Sequence, residues 1–472
     1  MKKVLIVLAG VAVVFLVDVN AYKPRIEAAV SDALGMELRI RGKAGLRLLP
    51  SVSIVLSDIH LRNRGTDLAV AETLRMGVKL RPLLNRRLEI TEIVLKKPWI
   101  RIERGTDGRF NYETPSRSPA PPATGAAEQG FSLAVTGGII QDGSLSYLDK
   151  RDGARVEATG IDLSLESLSL PADPAKPLSK GISFSGALRV GGIRSKAFDV
   201  SGVEAKMTAS AGVYDIGSLT LKLFGGNGEG AVRIDLSRQK PDFRVKFTLA
   251  KFRAEQSLAA ILQQKILSGP MTVGADLSFL GSGAEEMQRT VRGRVSLRGE
   301  DLTLHGVDLD GTLSTLEQAR RANLADLGAL LLVGPLEAVV TKAYRFGGVG
   351  GASAEGGESK VTVLVSEWTI RGGVAEAEDV AFATRKNRIA LDGKLDIGNG
   401  RFVGVTVAVL DGKGCAKLRQ TISGPFSAPQ LDTASTLEFA VTSILGLFEQ
   451  AKHLVRRGEC APFYTGSVAQ PK

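Results

Sequence analysis

The residues able to do chemistry are few and badly spaced for it. Three histidines, His60, His305 and His453, are scattered along the 472 residues, and no HExxH, GxSxG or GxxxxGK[ST] pattern accompanies them. His453 falls in an amphipathic stretch where an end-of-helix histidine accounts for it. The run Gly347-Gly348-Val349-Gly350-Gly351, continuing through Gly356-Gly357, suggests a phosphate loop. It lacks both the strand-to-helix setting and the Lys-Ser/Thr that hold phosphate, so it reads as a loop. The carboxylates Asp149, Asp152, Asp310 and Asp411 sit beside glycines in turn contexts. The two cysteines, Cys415 and Cys460, form no CxxC and have no histidine at zinc spacing. No enzyme, metal or cofactor is expected.

The elements that would position such residues are mostly strands. Glycine is abundant, 54 residues, and aromatics make up 5%, a composition of many tight turns between short strands. The chain is 44% hydrophobic and 24% charged, which excludes wholesale disorder. Its net charge of +11 would suit nucleic acid or an anionic surface, but no basic run is interleaved with aromatics to stack bases, so nucleic acid is set aside.

Period-2 alternation marks strands at Leu38 and Ile40, at Val52, Ile54 and Leu56, at Leu88 and Ile90, and at Ile100 and Ile102. It resumes at Leu219, Leu221 and Leu223, at Phe243, Val245, Phe247 and Leu249, at Val273, Ala275, Leu277 and Phe279, and at Val403, Val405, Val407 and Val409. Helical patterns cover Tyr22 to Leu34, with Gly35 as the stop, then Gln256 to Leu267, Leu313 to Val333, and Ser435 to Arg457. The last opens on a Ser435/Glu438 capping box and lines Leu437, Val441, Ile444, Leu445, Phe448 and Val455 along one face. Residues 114–130 (TPSRSPAPPATGAAEQG) have linker composition.

Met1-Lys2-Lys3 precedes an apolar run from Val4 to Val17 that continues past Asp18 to Ala21. A cleaved signal peptide ending at Val19-Asn20-Ala21 is one reading. A retained anchor of roughly 27 Å, at about 1.5 Å per residue, is the other. In both, Lys2 and Lys3 stay inside and the body is translocated. Two cysteines in an exported chain with no other partner predict a Cys415–Cys460 disulfide, closing a loop of about 46 residues and contributing on the order of 4 kcal/mol.

The opening block, with Asp18-Val19-Asn20-Ala21-Tyr22-Lys23-Pro24, Leu48-Leu49-Pro50, the strand ending Leu56-Ser57-Asp58-Ile59-His60-Leu61, and the paired strands around Lys96-Lys97-Pro98-Trp99 closing on Asn111-Tyr112, resembles the AsmA family. Gly143 to Asp149, Asp301 to Gln318, Gly373 to Leu410 and the Ile422 to Asp432 turn resemble the family's later regions. The resemblance implies a retained inner-membrane anchor (1–21), an N-terminal β region (22–113), a linker (114–130), a main β region (131–431) and a terminal helix and tail (432–472). The expected fold is mainly β, an elongated curled antiparallel sheet with a groove, preceded by a transmembrane helix and followed by a C-terminal amphipathic helix. The body would lie in the periplasm and handle phospholipid for outer-membrane lipid homeostasis. A scaffold for outer-membrane protein assembly that carries no lipid is the alternative.

The expected lipid-facing side chains are Phe243, Val245, Phe247, Leu249, Val403, Val405, Val407 and Val409, one face of each strand. Alternation requires an apolar cover for that face without saying whether it is protein, as in a sandwich, or acyl chain.

Overall fold

A computed structural model describes residues 20, 23–47, 52–79, 88–113, 131–132, 136–169, 177–262, 266–314, 331, 357–431, 435–436 and 460–471. The chain divides into two compact units, Met1–Leu221 and Lys222–Lys472, both built mainly of β-strands.

The first unit opens with helix α1 (Lys23–Leu34), which Gly35, at φ 65°, terminates. Ile26 and Val30 of α1 pack on Leu38, Ile40, Ala44, Leu56 and Ile59. The helix also completes a sheet edge: Ser31 Oγ accepts from the Leu38 amide at 2.8 Å and Glu27 Oε1 from the Ile40 amide at 2.6 Å, so strand β1 (Glu37–Ile40) finds side-chain partners where no strand pairs with it. β1 and β2 (Ala44–Arg47) both pair with β3 (Ser53–Asn63), and β4 (Thr66–Val78) follows antiparallel.

The next strands correct the expectation of an antiparallel sheet. β5 (Leu88–Lys96) and β6 (Trp99–Arg104) pair in turn with one later strand, β8 (Gly137–Asp149), and both pairings are parallel. The short β7 (Phe131–Ser132) also runs parallel to β5. A parallel neighbour needs a long crossover, and residues 105–136 supply it. Lys97 (φ 44°) and Pro98 interrupt β5–β6 opposite a bulge in β8. β9 (Arg155–Ser169), β10 (Ser183–Ser195), β11 (Asp199–Ser210) and β12 (Val213–Leu223) continue the meander, with a turn of helix, α2 (Leu178–Gly181), before β10. The Pro/Ala-rich linker 114–130 lies outside the described residues, as do residues 1–19. Among the described residues no helix is long and apolar enough to cross a membrane.

The second unit runs β13 (Gly226–Asp235), β14 (Asp242–Arg253), α3 (Ala254–Leu262), β15 (Leu267–Ser268), β16 (Pro270–Leu280), α4 (Ala284–Thr290), β17 (Arg292–His305), α5 (Leu309–Thr312), β18 (Glu358–Arg371), β19 (Val374–Ala383), β20 (Arg388–Asp396), β21 (Arg401–Leu410), β22 (Ala416–Pro425), β23 (Gln430–Leu431) and β24 (Ser435–Thr436). Among the described residues its ladders are antiparallel. Its core gathers Leu258, Leu297, Leu302, Trp368, Phe382, Leu395 and their neighbours.

Three helix expectations are adjusted. α3 starts and ends earlier than Gln256 to Leu267, because Leu267 pairs with Leu304 as a strand. A separate short helix, α5, ends at Thr312 with Leu313 as its C-cap and opens on the Asp308 side chain, which accepts from the Gly311 amide, while the helix expected over Leu313 to Val333 lies almost wholly outside the described residues. Of 315–333 only Leu331 is described, fully buried. Ser435 and Thr436 are extended, paired with Arg419 and Leu418, so Ser435 is not a helix cap; 437–459 lie outside the described residues.

Candidate functional site

In the first unit, the cross-strand register lines up apolar side chains in rows. Leu95 lies beside Ile140, Ile140 beside Leu163, Leu163 beside Leu188, and Leu188 beside Ala205. A second row joins Ile161, Val190 and Val203. A third joins Ile100, Leu145, Ala158, Ile193 and Val200. Neighbours such as Asp162, Arg189 and Glu204 pair on the other face, with Arg189 Nε 3.6 Å from Glu204 Oε1.

The sequence alternation slips by one residue between the second and third rows in β9, β10 and β11, and one step earlier in β8, between Ile140 and Gly143. An uncorrected slip would turn every later side chain to the wrong face. The backbone absorbs it: Asp142, Gly160 and Gly202 adopt φ of 52°, 62° and 57°, and Gly191 stands between Gly160 and Gly202 in the register. Gly160, Gly191 and Gly202 stand opposite one another on one transverse line, Asp142 lies beside it where the β8–β9 register shifts, and the apolar face stays continuous across it. Most of these side chains are only half-buried. Among the described residues, β9 and β10 make extensive contacts only with their ladder neighbours.

In the second unit, Phe243, Val245, Phe247 and Leu249 share one face of β14 as expected: the first three are half-buried, Leu249 is 5% exposed, and Arg244, Lys246 and Thr248 between them are exposed. Their partners continue the face, Phe243 beside Phe279, Val245 beside Leu277, Phe247 beside Ala275 and Leu249 beside Val273. The Phe243 and Phe279 rings stack at 5.1 Å.

β21 differs from the alternation. Val403 is 49% exposed while Phe402 is 3% exposed, because β21 bulges at Gly404 (φ 60°), opposite Gly393 of β20 (φ 130°), and the register shifts on both sides. The face that holds Val405, Val407 and Val409 therefore takes Phe402, which meets Phe426 edge-on at 4.8 Å. Val405 and Val407 are completely enclosed. Part of the cover is protein: Leu331 joins the same cluster, and its carbonyl accepts from Ser366 Oγ at 2.6 Å.

A disulfide joins Cys415 and Cys460, with Cα atoms 6.1 Å apart. It brings residues 460–471 onto the opposite face of the sheet, where Tyr464 and Val468 pack against alanines 381, 383, 390, 408 and 416. The alanines at alternate strand positions were the only sequence sign of that close approach.

The turn carboxylates do what their contexts predict. Asp149 accepts from the Arg151 guanidinium at 2.7 Å and from the Arg151 amide at 3.0 Å, contacts that hold its carboxyl far below the usual range. Asp411 accepts from the Lys413 and Cys415 amides, both at 2.8 Å. Asp310 has a further role, binding the Thr384 hydroxyl and, at 2.8 Å, Asn387 Nδ2.

No motif announces a chain in which Ser268 Oγ lies 2.8 Å from His305 Nε2 and His305 Nδ1 lies 3.0 Å from Glu358 Oε1. The order is that of a hydrolytic triad, but the Glu358 side chain is 63% exposed and His305 34%, so water screens both and the contacts tie three strands together. His453 and the glycine run 347–356 lie outside the described residues. Among the described residues no group of His, Cys, Asp or Glu is arranged to hold a metal ion.

Together these features define a class: mainly-β proteins whose sheet presents a register-matched apolar face. The AsmA family model matches residues 4–191 and 187–329, and the chain belongs to the AsmA family. No curated protein matches the chain.

Proposed function

We propose that this protein is a non-enzymatic envelope factor that handles phospholipid, its acyl chains lying along the half-buried apolar faces, and so contributes to outer-membrane lipid homeostasis. In this reading the segment 1–21 is retained in the inner membrane and the body is periplasmic. Family membership is consistent with an envelope role. The observation that carries the lipid reading is the line of backbone offsets through Asp142, Gly160, Gly191 and Gly202, which keeps one face apolar over four strands and leaves most of its side chains half-buried. Each methylene withdrawn from water contributes about 0.8 kcal/mol, so an acyl chain laid over several half-covered leucines and isoleucines gains several-fold that figure.

The scaffold reading draws on β21, whose Val405, Val407 and Val409 are closed into protein core rather than open to a ligand. Photo-crosslinkers at Leu163, Leu188 and Val245, compared with Asp162, Arg189 and Lys246, separate the two readings. Phospholipid captured in cells at the first three positions and not at the others supports the conduit. Capture of protein alone, or of lipid equally at both parities, replaces it with the scaffold.

A further inference from the structure

The C-terminal residues 460–471 form a built contact that neither the family nor the lipid reading requires. Tyr464 and Val468 lie on a floor of alanines. The Tyr464 hydroxyl donates to Asp379 Oδ1 and accepts from the Val468 amide at 3.0 Å, while the Ser467 amide donates to Asp379 Oδ2 at 3.0 Å. Arg388, 8% exposed, reaches the Val468 carbonyl at 3.1 Å and the Asp411 carbonyl at 3.4 Å, and its guanidinium lies 5.7 Å from the centre of the Tyr464 ring. The Phe463 amide donates to the Gly414 carbonyl at 2.9 Å. Gly466 fits only because it lacks a Cβ, which would stand 2.3 Å from Asp379 Oδ1.

Ordering a twelve-residue segment costs conformational entropy of the same order as these few apolar and polar contacts return. The balance then turns on how closely the segment is held to its seat. With the disulfide, Cys460 is fixed beside Cys415; without it, no covalent bond holds the segment at Cys415.

We propose that residues 460–471 are an oxidation-gated strap: the Cys415–Cys460 disulfide sets whether Tyr464 and Val468 cover the alanine face of the second unit, and reduction releases the strap while the rest of the unit stays folded. The bond is placed for exchange, since Cys460 is exposed while Cys415 is 6% exposed. A dithiol attacks the Cys460 sulfur, expels Cys415 as thiolate, and closes to its own disulfide. It thus supplies two electrons and two protons, leaving two cysteine thiols. The proposal is independent of the lipid reading.

The test uses the full chain with Trp99→Phe, so that Trp368, fully buried in the cluster on the other face, is the sole tryptophan and reports on that core. Chymotryptic release of the C-terminal fragment is followed by intact mass, oxidised and after dithiothreitol. Reduction is expected to speed cleavage after Phe463 or Tyr464 at least tenfold with Trp368 emission unchanged. Cys460→Ser should match the reduced protein, and Asp379→Asn should loosen the strap with the disulfide intact. Equal cleavage in both redox states overturns the gate. Loss of the Trp368 signal together with the strap overturns it as well, because the bond then supports the whole unit.

Discussion

Gly160 of β9 lies so close to Gly191 of β10 that a Cβ on Gly160 would stand 3.4 Å from the Gly191 Cα. The contact lies on the line where the inward face changes parity along β9, β10 and β11, and Gly160 makes the change at φ 62°. A β-branched residue in that left-handed region costs about 1–2 kcal/mol. Gly160→Val is therefore expected to lower the urea midpoint. Gly217→Val in β12, where an added Cβ meets nothing within 4 Å, is expected to leave the midpoint unchanged or raise it.

The bulge at Gly404 separates two valines that alternation would place on one face. Val405 is fully enclosed and Val403 is 49% exposed. Val405→Asp would bury an unpaired carboxylate and is expected to abolish folding of the second unit, whereas Val403→Asp is expected to stay within about 0.5 kcal/mol of the parent. Val407→Ala should cost about 2 kcal/mol. Urea unfolding followed by Trp368 fluorescence gives all three values, and equal effects at 403 and 405 would refute the register.

Asn111 satisfies the edge of β6 beyond its short pairing with β4 at Trp99 and Ile100. Its Oδ1 accepts from the Glu103 amide at 3.0 Å and its Nδ2 donates to the Arg101 carbonyl at 2.7 Å, while Asn63 Nδ2 donates to its carbonyl at 2.6 Å. Asn111→Asp keeps the acceptor but turns a carboxylate oxygen toward the Arg101 carbonyl. A loss of about 1–3 kcal/mol is expected, with faster hydrogen exchange at the Glu103 amide. Unchanged exchange there would mean that the side chain does not hold the edge.

How far the sequence reveals this molecule depends on which force acts locally. β14 is legible because Phe243, Val245, Phe247 and Leu249 alternate without interruption and nothing offsets the pleat. β21 misleads at Val403 because the offset comes from the backbone of Gly404, whose only trace is a glycine inside a strand. The parallel pairing of β5 and β6 with β8 depends on a crossover path, which side-chain periodicity does not encode. α3 ends before Leu267 because pairing with Leu304 outweighs helix propensity, a tertiary effect. The Cys415–Cys460 bond follows from elimination alone, but the seat of Tyr464 does not, since residues 460–471 carry no period.

Tyr464 also gives the strap a pH dependence. Burial, together with its bond to Asp379, pushes the phenol well above its ordinary range. A group whose folded value is raised stabilises the fold fully below its unfolded value, about 10 for tyrosine, and that contribution is lost as pH rises toward the folded value. Protection of the C-terminal segment is therefore expected to hold through neutral pH and to fall away above about pH 10. In a titration of tyrosinate absorbance, the component lost in Tyr464→Phe should ionise above the ordinary tyrosine value of about 10. Tyr464→Phe removes both the donor to Asp379 and the acceptor for the Val468 amide. Its protection should start lower and lose the alkaline step. A parent protein whose tyrosines all titrate together near pH 10, about the free value, would show that the phenol is open to water and that the strap does not seat as described.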